Sequence, residues 1–247
     1  MIIQISGTLE EWRMAANMLF ASGCEAQSFV VLASLAAPLM PLWRGKGNGA
    51  VVSIYGGKKS GKSTAIAGAR SVWGIGYGPP PEDVPSISEG FINRDPKIMR
   101  EGLNEAAADG ELVISAAGMS LFAAISTPDD PFRLGVEFEI KVPAGLIAAR
   151  DKNEIEYALY SNHGHAGAAM EAELADEKRA QAAKRMMSSY LRGMEEMFNP
   201  DKSDEPHALR IIAAARAAGD IAVKLKLLEI DPERIARWAF SKYGGPK

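Results

Sequence analysis

An α/β core set between two helical regions is the architecture this sequence predicts, on three observations. Gly56-Gly57-Lys58-Lys59-Ser60-Gly61-Lys62-Ser63 fits the phosphate-binding loop pattern G-x-x-x-x-G-K-[ST] with no mismatch, and it stands between an apolar run and a helix-forming run. Further short apolar stretches follow it at strand length. From Asp151 onward the periodicity is almost wholly helical. The chain therefore divides into a helical N-terminal segment over residues 1–48, a core over 49–148 and a helical C-terminal region over 149–247.

Thr8-Leu9-Glu10-Glu11 has the form of a capping box and predicts a helix from Leu9 to about Phe20. Gly23 offers a stop, and a more apolar helix opens near Glu25 and ends near Pro38. Gly45-Lys46-Gly47-Asn48-Gly49 is a flexible connector into Val51-Val52-Ser53-Ile54-Tyr55, a β-branched and aromatic stretch suited to a buried strand. The loop then leads into Thr64 to Trp73, apolar at helical spacing. Gly74 to Pro81 shows no period, and Val84 to Glu89 is a weak strand candidate. Asp95-Pro96 reads as a cap and first-turn proline for a helix through about Ala108. Leu112 to Ala116 reads as a buried strand, and Phe132 to Val142 as a longer alternating one. Beyond it the pattern predicts helices over Lys152–Ser161, Gly167–Met197 with a break near Gly193, Glu205–Leu228 and Asp231–Tyr243. Alanine with interleaved Glu, Lys and Arg in these helices reads as the solvated faces of a bundle.

The loop carries the chemistry. Its glycines let the backbone bend so that successive N–H groups face phosphate oxygens, and the positive end of the following helix dipole adds to the attraction. Gly56, Gly57, Lys58, Lys59, Ser60, Gly61, Lys62, Ser63 and Thr64 are the expected nucleotide-binding residues. Lys62 would reach the β- and γ-phosphates of ATP, and the Ser63 hydroxyl would bind Mg²⁺. A chance Gly/Ser/Lys turn is the alternative, and the agreement of motif with context disfavours it.

Composition sets the boundaries. The 247 residues carry a formal charge of −3, so any nucleic-acid contact must come from a local patch or an assembled ring. Cys24 cannot form an internal disulfide, three histidines offer little for a metal cage, and a reducing cytoplasm is the expected setting. The longest uncharged apolar run, Ser28 to Trp43, is shorter than the roughly 20 residues a membrane span needs and contains Pro38 and Pro41. Met1-Ile2-Ile3-Gln4 lacks a basic region before an apolar core, so no secretory signal is expected.

Tyr55 to Thr64, running on to Ser71-Val72-Trp73-Gly74, resembles the helicase-like P-loop domain of unknown function in phage and plasmid primase-helicase proteins. Trp12 to Leu42 is similar to that family's helical lead-in, Arg94 to Met99 to the segment after its acidic motif, and Val113 to Ala117 to its sensor strand. Asn162 to Gly167 and Leu227 to Ile235 resemble its C-terminal helical region, so the resemblance covers most of the chain. It implies a shortened P-loop NTPase core of RecA/AAA type, with ATP and Mg²⁺ as cofactors and single-stranded or duplex DNA as partner. It also implies a homo-oligomeric ring, no membrane, and a cytoplasmic location, the host's if a phage encodes the chain. The family's strand ending in Asp-Glu has its counterpart in Ser88-Glu89, so Glu89 is the expected water-polarising residue and the aspartate is missing. The stretch from Trp73 to Glu89 is short beside the family, and Gly118 stands where a polar sensor residue is expected. Arg133, after the sensor segment, is placed where such rings present an arginine to a neighbour's γ-phosphate.

Other residues are weaker candidates. Arg100 is a lesser alternative to Arg133, and Asp83 to the missing metal ligand. His163 and His165 suit a glycine-flanked turn better than a metal pair, because no partner lies at ligand spacing. Three functions follow. An ATP-driven, helicase-related motor subunit leads, with Lys62, Glu89 and Arg133 as its catalytic residues. A degenerate nucleotide-binding structural or assembly protein is the alternative, favoured by Ser88 and Gly118. A small-molecule kinase ranks last, because no arginine-rich lid follows the core.

Overall fold

The computed structural model describes residues 3–40, 42, 50–55, 61–74, 87–88, 119–123, 135–139, 149–197 and 206–243. In chain order they form α1 (Leu9–Met18), α2 (Glu25–Leu35) with a 3₁₀ turn at Ala37–Leu39, β1 (Ala50–Tyr55), α3 (Lys62–Val72), β2 (Ile87–Ser88), β3 (Met119–Ala123) and β4 (Gly135–Glu139). The helices α4 (Ala149–Ser161), α5 (His165–Ala175), α6 (Glu177–Met197), α7 (Pro206–Lys224) and α8 (Pro232–Tyr243) follow.

These residues correct the expected class, an α/β fold on a P-loop NTPase core of RecA/AAA type. They are predominantly helical, and their helices carry a continuous buried cluster. Four short strands pair in parallel in the order β2-β3-β1-β4, with Val52 opposite Leu121 on one side and Val136 on the other. The physical reason lies in composition. Alanine-rich helices bury small side chains and approach one another closely, so helix-on-helix packing dominates the described residues. The expected helix over 96–108 and the strand over 112–116 lie outside the described residues.

α2 explains the arrangement. Every residue from Ala26 to Leu35 is buried, the mark of a helix enclosed on all sides. It packs against α3 and α7, while α7 in turn packs on α6 and α8. α7 meets its neighbours through Ala208, Ile211, Ile212, Ala215 and Ala222, all at most 1% exposed.

Local chemistry sets the helix ends. The Thr8 hydroxyl accepts the Glu11 N–H at 3.2 Å, as the capping box predicts. The break expected near Gly193 falls instead at Asp176, whose carboxylate accepts the Arg179 N–H at 2.9 Å and starts α6. Gly193 lies inside α6, where its cost of about 1 kcal/mol is carried by the length of the packed helix. Asp231 caps α8 in the same way, through the Arg234 N–H at 3.1 Å.

Two tryptophan–serine pairs fasten α3 to the N-terminal helices. Trp12 on α1 donates its indole N–H to Ser71 Oγ at 2.9 Å, and the Ser71 hydroxyl donates to the Gly68 carbonyl. Trp73 donates to Ser34 Oγ on α2 at 3.0 Å, and Ser34 donates to the Ala69 carbonyl. All four side chains are buried, so each polar atom is matched where leaving it unmatched would cost about 1–3 kcal/mol.

Among the described residues no helix is long and apolar enough to cross a membrane.

Candidate phosphate-binding site

β1 ends at Tyr55 and α3 begins at Lys62, so the loop pattern spans the connection between them. β1 lies between β3 and β4, with α3 packed on the sheet. Gly61, the second glycine of the pattern, has φ 92° and ψ 12°. That left-handed conformation suits glycine, and it turns the chain sharply into the helix. The first intrahelical N–H bond in this turn is donated by Ala65 to the Gly61 carbonyl at 3.0 Å. The amides of Ser63 and Thr64 therefore face out of the N-terminal end of α3, where the positive end of the dipole lies.

Lys62 and Ser63 are half-buried at this end. Burial pushes the Lys62 pKa below the ordinary lysine value, and the nearby charge of Lys152 pushes it in the same direction. A polyphosphate would relieve both effects, since its negative charge favours the ammonium form. Thr64 has a different task. Its side chain is fully buried, and its hydroxyl donates to Glu156 Oε1 on α4 at 2.7 Å. The same carboxylate oxygen lies 3.4 Å from Lys152 Nζ. Thr64 can meet a ligand only through its backbone, because its side chain is occupied in holding α4 against α3.

The structure thus brings Lys152 and Glu156 beside Lys62 and Thr64, a neighbourhood that no local motif marks. They are an ordinary i,i+4 pair on a distant helix, a pattern met on any solvated helix face. Gly56, Gly57, Lys58, Lys59, Ser60, Glu89 and Arg133 lie outside the described residues, as do Asp83, Arg100 and Gly118. Ser88 is described, in β2 opposite Phe122 of β3.

His163 lies in the turn between α4 and α5, and His165 is the first residue of α5. Gly164 between them has φ 82°, a ring nitrogen of His163 lies 3.1 Å from the Gln4 carbonyl, and one of His165 lies 3.0 Å from that of Ser6. Among the described residues no cluster of His, Cys, Asp and Glu could hold a metal ion.

Residues 1–77 match the model of a family described as a domain of unknown function, DUF927. That match takes in the N-terminal helices, β1, the loop and α3, and it stops short of the C-terminal helices that the sequence resemblance had included. No curated protein matches the chain. Among solved structures, the chain is similar to SCCmec type IV Cch, described as an active helicase, with a TM-score of 0.66 at 15% identity. The likeness covers 97% of this chain and 51% of that one, so the chain spans about half the length of the structure it resembles. At that identity the likeness speaks for a shared fold.

Proposed function

We propose that this chain binds ATP with Mg²⁺ through residues 56–64 and serves as a helicase-related, ATP-driven motor subunit. The observation that carries the reading is the junction at Gly61. The Gly-Lys-Ser of the pattern falls where a left-handed glycine opens an eleven-residue helix, so the amides of Ser63 and Thr64 face the place a phosphate would occupy. Lys62 would supply the charge on the outer phosphates, and Ser63 a hydroxyl to Mg²⁺. The fit is supported by the half-buried, charge-crowded state of Lys62, which an anion would ease.

Glu89 is assigned to polarising the attacking water. Arg133 is assigned to stabilising the transition state in a neighbouring subunit of a ring on DNA. The likeness to a structure described as an active helicase supports the motor reading and its DNA partner. A second reading, nucleotide binding without turnover, has one observation in its favour: Ser88 stands where an acidic metal ligand would precede Glu89. Steady-state ATP hydrolysis with and without single-stranded DNA separates the two. The motor reading expects turnover that DNA stimulates and that Glu89→Gln removes with little loss of ATP affinity. Absence of turnover in the assembled wild type on DNA would leave the second reading.

A further inference from the structure

Outside the loop, the largest concentration of one charge among the described helices lies on α6. Between residues 178 and 192 it carries Lys178, Arg179, Lys184, Arg185 and Arg192 with no acidic residue, in a chain whose net charge is −3. Acids return only at its ends, with Glu177 before the run and Glu195 and Glu196 after it.

The geometry sorts these cations. At 100° per residue, the buried Ala183, Met187 and Met194 define the side of α6 that faces the bundle. Lys178, Arg185 and Arg192 recur at seven-residue intervals on the opposite side, with Gln181 and Ser189 between them, and all five are exposed. Lys178 and Arg192 are separated by about 21 Å of helix, at 1.5 Å per residue. Arg179 lies off this side and is paired with the buried carboxylate of Glu173 at 2.6 Å. Among the described residues Lys178, Lys184, Arg185 and Arg192 make no ion pair, and their charge is directed outward.

We propose that this side of α6, centred on Lys178, Arg185 and Arg192, is a binding surface for the sugar-phosphate backbone of a nucleic acid. A row of cations with amide and hydroxyl donors between them matches a polymer that carries negative charge at regular intervals. A lipid surface is a poor match, since Ala183, Met187 and Met194 are buried and the side that carries Lys178, Arg185 and Arg192 has Gln181 and Ser189 between them and no large apolar side chain to insert. The surface shares no residue with the 56–64 pattern, and its argument does not depend on ATP binding.

The test is fluorescence anisotropy with labelled single-stranded DNA, duplex DNA and RNA, each titrated with the full chain across a series of salt concentrations. Wild type is expected to bind at least one of the three, and the one it prefers identifies the natural source of the phosphates. Lys178→Ala/Arg185→Ala/Arg192→Ala should weaken binding at least about tenfold at low salt. It should also flatten the log–log salt slope by about two to three, the value for three lost phosphate contacts. A control of equal charge change elsewhere, Arg13→Ala/Arg237→Ala/Lys242→Ala, should stay within about twofold of wild type, as local contacts and not net charge dominate. Should the first variant lose helical circular dichroism, the glutamine version of the same three positions replaces it. Failure of wild type to bind any of the three polymers would overturn the proposal. So would equal weakening in both triple variants, or displacement of the DNA by polyglutamate as effectively as by unlabelled DNA. ATP affinity measured on the same α6 variant should equal that of wild type, so a failure of the nucleotide reading is seen separately from a failure of this one.

Discussion

Gly167→Ala tests how α3 is held in place. Gly167 lies in the first turn of α5 against the far end of α3. A Cβ added there would stand 2.5 Å from the Val72 carbonyl oxygen and 2.7 Å from Trp73 Cε3. Neither obstacle can yield. The first is backbone, and the second belongs to an indole that is 1% exposed and tied to Ser34. Overpacking of this kind costs about 1–3 kcal/mol, and the upper part of that range applies where the neighbours are fixed. Alanine in place of glycine in a helix returns about 0.5–1 kcal/mol. The net expectation is a loss of about 1–2 kcal/mol, or roughly 2–8 °C in Tm for a chain of this size. Gly193→Ala supplies the matched control, because nothing lies within 4 Å of its added Cβ. The same substitution there should raise stability by about 0.5–1 kcal/mol. Urea denaturation followed by helical circular dichroism reads both. If Gly167→Ala is as stable as Gly193→Ala, the close approach of α5 to α3 is wrong.

Thr64→Val keeps the buried volume and removes the hydroxyl that donates to Glu156, so it should cost about 1–2 kcal/mol by denaturation. Glu156→Gln should cost less, because the amide oxygen can still accept from Thr64, and equal losses would count against that bond. Glu173 is buried between Lys224 Nζ at 3.0 Å and Arg179 Nη1 at 2.6 Å. The hydrogen bond from Lys224 holds its carboxyl below the ordinary range against the opposing effect of burial, and Arg179 adds to the lowering. A depressed carboxyl stabilises the fold above its unfolded pKa, about 4.3, and that contribution fades as pH falls through the lower folded value. The advantage of wild type over Glu173→Gln should therefore be full near neutral pH and shrink below about pH 4.3. An advantage that is constant from neutral to acid would contradict the ion pairs.

Much of the helical structure was legible because its signals are local. Thr8, Asp231 with its following proline, and the apolar run after Glu25 each announce an element within a few residues. The break falls at Asp176 and not at Gly193 because a capping carboxylate starts a helix more effectively than a lone glycine ends one. The class was misjudged for a different reason. Short apolar runs announce strands, but the enclosure of a helix depends on packing across the chain, and α2 is buried on every side although its sequence shows no more than an apolar run. At the site, the motif marks Lys62 and Ser63, whereas Lys152 and Glu156 come beside Lys62 and Thr64 through the contact of α4 with α3. In sequence the cations of α6 mark an interleaved solvated face, and the seven-residue recurrence opposite Met187 is visible only once the buried side is known.

The central claim, that residues 56–64 bind a nucleotide, is tested most directly by calorimetric titration of Mg²⁺-ATP into wild type and Lys62→Ala. Lys62 is half-exposed, so its truncation should leave the circular dichroism unchanged. Removing its charge-assisted contact with the phosphates should weaken binding by at least about tenfold, from a loss of about 1.5–3 kcal/mol. Equal affinity in a folded Lys62→Ala, or no saturable heat from wild type, would contradict the claim.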